Sequence, residues 1–298
     1  MLNGIIIVNK SAGMTSFDVV FKLRKLYEQK KIGHTGTLDP DAVGVLPVCL
    51  GKGTKIVELL TNETKTYETV LQLGVTTDTQ DTSGKVLQER PVNVTEEEVR
   101  LALESMMGEV EQLPPMYSAV KVNGKKLVDL ARKGIEVERK TRRVFFSDLK
   151  IKEVSLPMVT FEVTCSKGAY IRTLCHDVGE KLGCGAAMAH LTRTRVGMFS
   201  LENAITLEEL AQLSLEERAQ KLIPVDRVFE IMPVVNASDG YEDAGLLNGH
   251  SLHRNMPEEN NDKEFRVYTS KKEFVGIYRY DAAGRKLKLV KFFYDLSR

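Results

Sequence analysis

The sequence predicts a mixed α+β chain in two unequal parts, on three observations. Segments of helical period and segments of strand period are interleaved over residues 1–230, without the regular strand–helix–strand spacing of a doubly wound fold. From about Ile231 the pattern changes to short strand-like runs separated by DG, NG and AAG, the punctuation of a small all-β module. The 298 residues, 42% hydrophobic and 28% charged, have the composition of a globular protein with a substantial core. The expected division is therefore 1–230 and 231–298.

Each element has a local reason. "GIIIV" at 4–8 is β-branched and too short to span a membrane or to form a signal-peptide core, so it reads as a buried strand. "TSFDVVFKLRKLYEQKK" offers Thr15 or Ser16 as a cap and Val19, Val20, Leu23 and Leu26 at helical spacing. "GHTGTLDPDAVGVLP" (33–47) has too much Gly and Pro for a helix, and Pro40 and Pro47 argue against a central strand, so it reads as a rigid loop. "TYETVLQLGV" puts Tyr67, Thr69, Leu71, Leu73 and Val75 on one strand face, and "TDTQDTSGK" after it is a turn. "TEEEVRLALESMMG" is a Thr-capped helix closed by Gly108. "VTFEVTCSKGAYIRTL" alternates, breaks at Gly168 and enters a helix, with Tyr170 and Arg172 on one face if that stretch is extended. Residues 206–226 read as a polar helical segment before the boundary.

Charge and cysteines narrow the function. Net charge is only +1, but residues 121–143 hold nine Lys or Arg against three acids, a local balance of +6, while residues 96–111 hold six Glu against one Arg, a balance of −5. A concentrated basic stretch on a neutral protein binds phosphates locally or is simply a solvated face. Cys49, Cys165, Cys175 and Cys184 form no CxxC pair, so neither a disulfide framework nor a zinc site is expected, and the chain reads as cytoplasmic. "LGKGTK" fails the Walker pattern, and no GxGxxG, HExxH or GxSxG is present. His34 and Asp39 have no clustered partners for a metal, so no metal is expected.

What remains is a carboxylate, aromatic rings and an arginine. Two readings stand for Asp39: a side chain that caps a turn, or a functional carboxylate whose direction Pro40 fixes. A buried Asp kept ionised by an Arg can act as a nucleophile, and Arg172 is a candidate for that partner.

Five stretches in order and spacing, "GHTGTLDPDAVGVLP", "KTY" (65–67), "PPMYSAVKVNGKKLVDLARKG" (114–134), "CSKGAYIRTL" (165–174) and "HLTRTRVG" (190–197), resemble the bacterial tRNA pseudouridine-55 synthase (TruB) family across nearly all of residues 1–230. "VNKSAGMTS" departs from the family in Ser11, where Pro is common, a change in turn stiffness and not in chemistry. The tail resembles a PUA-type RNA-binding domain, chiefly through "LLNG" (246–249).

The resemblance implies a pseudouridine-synthase core with a mixed, mainly antiparallel sheet. It makes Asp39 the nucleophile and gives His34 the space vacated by the flipped nucleotide. Tyr67 stacks on the target base, Tyr170 and Arg172 support Asp39 and the base, and Leu191 packs under the ring. Lys121, Lys125, Lys126, Arg132 and Lys133 then belong to an insertion, about 114–143, that grips the tRNA T arm. The implied enzyme uses no cofactor, since the isomerisation needs no redox change and no group donor. A monomer bound to neither DNA nor membrane is expected. Two other classes remain at this point: a non-catalytic RNA-binding module and an Asp/His hydrolase of nucleotides.

Overall fold

The computed structural model describes residues 1–295. Strand β1 (Gly4–Lys10) leads into α1 (Ser16–Leu26), which Thr15 caps by accepting from Asp18 N while the Asp18 carboxylate accepts from Thr15 N. Val19, Val20 and Leu23 turn inward, each contributing about 1.5–3 kcal/mol relative to exposure. Then come β2 (Ile32–His34), the loop 35–42, β3 (Val43–Leu50), α2 (Val57–Thr61) and β4 (Lys65–Leu73). A small hairpin, β5 (Val75–Thr77) with β6 (Val86–Glu89), precedes α3 (Glu96–Glu104) and β7 (Gly108–Gln112).

Residues 113–141 hold little regular structure: a hairpin of β8 (Lys121–Val122) with β9 (Lys125–Lys126), and α4 (Leu127–Ala131). After them follow β10 (Arg142–Ser155), β11 (Met158–Cys165), α5 (Ile171–Lys181), β12 (Ala186–Val196), β13 (Phe199–Ser200), α6 (Leu207–Gln212) and α7 (Leu215–Gln220).

A nine-stranded sheet in the order β1-β3-β12-β4-β11-β10-β7, with β2 added to β3 and β13 to β12, forms the frame. Its pairings are antiparallel except β3 with β12. One face carries Ile6, Val8, Leu46, Val48, Tyr67 and Phe161 in one core with the inner sides of α1, α3 and α5. The opposite face of β1 and β3 presents Ile5, Ile7, Val45 and Cys49 to a second core.

The C-terminal region contains β14 (Val234–Asn236), α8 (Gly240–Leu247), β15 (Leu252–His253), β16 (Glu264–Tyr268), β17 (Phe274–Asp281) and β18 (Lys286–Phe292). These strands make a separate five-stranded sheet, β14-β16-β17-β18-β15, with a core of its own. Ile277 and Phe293 nevertheless join Ile5, Ile7 and Phe229 in the second core. The change at 231 is thus a change of sheet and not a break in packing.

Several local expectations need correction. Pro47 lies inside β3, paired with Ile7. Its carbonyl accepts from Thr35 N and Oγ1 on the side where β2 has already ended at His34, so its missing N–H falls beyond the ladder. Val75 belongs to a new strand because Gly74, at φ 88°, turns the chain after Leu73. Gly108, also at φ 88°, opens β7, and α3 has ended at the Ser105 cap. The polar segment 206–226 becomes two short helices, each with its own capping box at Thr206 and Ser214. Tyr170 is the extended N-cap of α5 and Arg172 is already helical, so the two do not share a strand face.

Candidate active site

The loop 35–42 is held from below by charged side chains that are themselves buried. Lys10, at the end of β1 and in phase with Ile6 and Val8, donates from Nζ to the carbonyls of Ser11, Met14 and Pro40 at 2.8–2.9 Å. Burial lowers its pKa to about 8, which still leaves an ammonium at neutral pH. Arg193, on β12 opposite Tyr67, is 1% exposed and donates to the carbonyls of Val45 (2.7 Å), Gly36 (3.2 Å) and Thr37 (3.4 Å). Ser16 Oγ accepts from Leu38 N at 2.8 Å. The carbonyls that a Gly- and Pro-rich loop leaves unpaired therefore receive donors from β1 and β12, while α1 accepts from one of its N–H groups.

Asp39 projects from this loop onto Arg172. Arg172 Nε lies 3.0 Å from Asp39 Oδ2 and Nη2 lies 3.2 Å from Oδ1, a two-pronged pair. The same guanidinium donates to the carbonyls of Thr79 (3.0 Å) and Tyr117 (2.9 Å) and to Asp81 Oδ2 (3.3 Å). Thus one arginine joins the Asp39 loop, the turn after β5 and the start of the 113–141 segment to α5. Both Asp39 oxygens bond to Arg172 and, among the described residues, neither accepts a backbone N–H, so the turn-cap reading of this residue has no geometric support. Arg172 is 5% exposed by side chain, whereas Asp39 keeps 37% open to the cleft. Enclosure pushes the Asp39 pKa above the ordinary carboxylate value, and the facing Arg172 pulls it back.

Two cavities meet at this pair, of about 260 and 330 Å³. They share Thr37, Asp39, Ser118, Ala119, Arg172 and Leu191. The first is walled by Tyr67, Tyr170, Ile171, Leu191 and Arg193, and the second by Asp81, Tyr117, Arg132 and His190. Tyr67 is buried on β4, and burial raises its phenol pKa, so the ring that lines the cavity is neutral. Tyr170 is fixed through its backbone: its N–H donates to Gln112 Oε1 at 3.0 Å and its carbonyl accepts from Gln112 Nε2 at 3.1 Å.

The structure thus brings Asp39, Tyr67, Tyr170, Arg172 and Leu191 around one cavity. His34 is not among the lining residues of either: it ends β2 half-buried, Nδ1 accepts from Gly36 N at 3.3 Å, and burial lowers its pKa, which keeps it neutral at pH 7. Lys121, Lys125, Lys126, Arg132 and Lys133 are exposed on the 113–141 segment, and none forms an ion pair among the described residues. Arg139 and Arg143, from the same basic stretch, are tied to Glu136 and to Glu109 and Glu111.

Arg193, Lys10, Lys65 and Asp81 were not expected at the site. The first three had a readable signal, a cation in phase with the buried side of a strand. Lys65 lines the first cavity, donates to Thr61 O and Glu63 O at 2.6 Å, and has its pKa lowered to about 8 by burial. Among the described residues no group of three or more His, Cys, Asp or Glu side chains could hold a metal ion.

A carboxylate held by one arginine between apolar and aromatic walls is the arrangement expected for chemistry on a flipped base. Comparison with known proteins decides the family. The TruB family pseudouridylate synthase N-terminal domain matches residues 24–171, and the tRNA pseudouridylate synthase B C-terminal domain matches residues 172–232. The chain belongs to the TruB family of pseudouridylate synthases. Among its TruB-family relatives, the tRNA pseudouridine synthase B of Clostridium kluyveri is 44% identical, over 93% of this chain and 95% of that protein. That of Alkaliphilus oremlandii is 46% identical, over 93% and 92%. In solved structures, a chain of the Cbf5-Nop10-Gar1 complex superposes with a TM-score of 0.69 at 26% identity, covering 99% of this TruB-family chain and 86% of its own. The fold is that of the family, with mainly antiparallel pairing as expected.

Proposed function

We propose that this chain isomerises uridine-55 in the T loop of tRNA to pseudouridine, with Asp39 as the nucleophile. The observation that carries the reading is the two-pronged Asp39–Arg172 pair at the junction of the two cavities, in a chain of this family. The target base sits inside a folded loop, so it must be flipped out, at a cost of a few kcal/mol. Stacking on Tyr67 and packing on Leu191 offset that cost.

Asp39 attacks C1′ directly or assists a glycal route, and the N1–C1′ bond breaks. The detached uracil turns and C5 joins C1′, displacing the Asp39 carboxylate where it has bonded there or, by the glycal route, as C2′ regains the proton that Asp39 took. N1 then takes up a proton and C5 releases one, so the atoms balance without an oxidant or a group donor. Arg172 keeps Asp39 ionised and aimed, and Arg193 and Lys10 keep its loop still. Tyr170 supports the base, and His34, which does not line the cavity, holds the space left by the flipped nucleotide.

We assign the grip on the T arm to Lys121, Lys125, Lys126, Arg132 and Lys133, whose free charges suit phosphates. Residues 231–298 serve as a PUA-like module that adds affinity for RNA and no catalytic group. The enzyme acts as a cytoplasmic monomer; among the described residues no helix is long and apolar enough to cross a membrane.

The test is an unmodified tRNA transcript with tritium at uridine C5, incubated without added cofactor or metal. Release with the RNA intact, lost when position 55 is changed to cytidine, is the expected outcome. Strand cleavage would instead support a hydrolase, and binding without release an RNA-binding module.

A further inference from the structure

Helix α1 carries two large aromatic side chains in solvent. Phe17 is 60% and Phe21 51% exposed, one turn apart on the same face. The chain that includes this face is rich in cations: Lys22, Arg24, Lys25, Lys30 and Lys31 stand against Asp18 and Glu28. Lys25 Nζ lies 4.7 Å from the centre of the Phe21 ring, and the Arg24 guanidinium 5.9 Å from that of Phe17. None of the five cations forms an ion pair among the described residues, and Asp18 is committed to the Thr15 cap.

The face also begins beside the cleft. Ser16 Oγ bonds to Leu38 N, one residue before Asp39, and Gly13 N donates to Pro40 O at 3.0 Å. The inner side of α1 packs in the same core as Tyr67 and Leu191.

We propose that α1 is a second RNA-docking surface, separate from the 113–141 segment, on which Phe17 and Phe21 stack unpaired bases while Lys22 and Lys25 hold phosphates of the same RNA whose uridine enters the cleft. Exposed rings interleaved with cations that form no ion pair among the described residues suit a nucleic acid, since rings take bases and cations take phosphates. An apolar protein surface would have no use for so many unpaired charges. The proposal rests on the RNA-modifying reading of the Asp39 site.

The test uses the full chain with Phe17→Ala/Phe21→Ala and, separately, Lys22→Gln/Lys25→Gln. Stacking at 1–3 kcal/mol per base predicts that the aromatic pair weakens binding to an unmodified tRNA transcript by about tenfold or more. The lysine pair should flatten the slope of log K against log salt by about 1. Single-turnover tritium release at saturating RNA stays at the level of the unaltered protein in both, because neither pair touches the cleft. Unchanged affinity and unchanged slope overturn the proposal and point to an acidic protein or a membrane surface on this face. A fall in the saturating rate overturns it too, by showing that the substitutions act through the site. If the unaltered chain binds tRNA but releases no tritium, the reading of the Asp39 site fails instead, and the affinity measurements still decide α1.

Discussion

Residues 35–42 and residues 113–141 both border the cavities around Asp39, yet the first is bonded to Lys10, Ser16, Arg172 and Arg193, while the second buries few side chains and leaves its cations, Arg139 excepted, without ion pairs among the described residues. The loop presents one carboxylate whose direction decides the reaction. The insertion presents several charges whose exact placement does not. A phosphate backbone can be held by mobile ammonium groups, whereas a nucleophile displaced by 1 Å can lose about a hundredfold in rate. The chain places its buried cations where position matters and its solvated ones where only charge does.

That contrast can be broken from either side. Short of replacing Asp39 itself, the largest effect is expected from Arg172→Lys, since an ammonium cannot hold both Asp39 oxygens and also reach Thr79, Tyr117 and Asp81. Single-turnover tritium release should fall about a hundredfold while RNA affinity holds; a loss of only affinity would make Arg172 a phosphate ligand. Next in size, Lys125→Gln/Lys126→Gln/Arg132→Gln/Lys133→Gln should weaken binding and flatten the salt slope by up to about 3, at about 0.7 per phosphate. An unaltered slope would place the phosphate contacts elsewhere.

His34→Ala is expected to lower the rate only severalfold, because this side chain is outside the cavity and attacks nothing. Loss of all release in that variant would make His34 part of the chemistry.

The smallest effect at neutral pH is on the pH profile. Asp39 must be ionised to attack, and its pKa is raised by enclosure, so kcat/KM should fall on acidification with a midpoint above that of a free aspartate. A raised folded-state pKa also means that ionised Asp39 costs stability as pH rises through that value. Asp39→Asn should therefore be at least as stable as the unaltered chain at pH 7, by chemical denaturation.

Much of the scaffold was legible because periodicity reports burial directly, as in β4, where Tyr67, Thr69 and Leu71 alternate inward. Pro47 was misread because a proline's cost depends on which neighbour its missing N–H would face, and that is a property of the sheet. The loop's motif pointed to Asp39, but its fastening was only half visible. Lys10, Lys65 and Arg193 each fall in the buried phase of a strand, where a cation must find acceptors, and that signal was available. Asp81 gave none: it sits in a polar turn, and its bond to Arg172 spans 91 residues of chain. The shared core was hidden for the same reason, since Ile277 and Phe293 look like ordinary strand residues until the two sheets are brought together.

Position resides in the loop and grip in the insertion, and a crossed measurement on two variants separates the two. Single-turnover tritium release at saturating tRNA and the Kd for the same transcript are measured for Asp39→Asn and for Lys125→Gln/Lys126→Gln/Arg132→Gln/Lys133→Gln. Asp39→Asn should keep its Kd and release no detectable tritium, because no neighbouring group replaces a covalent catalyst; the fourfold variant should raise the Kd and keep its saturating rate. Substantial release by Asp39→Asn, in a preparation free of host synthase, or a saturating rate lost in the fourfold variant, would contradict the account.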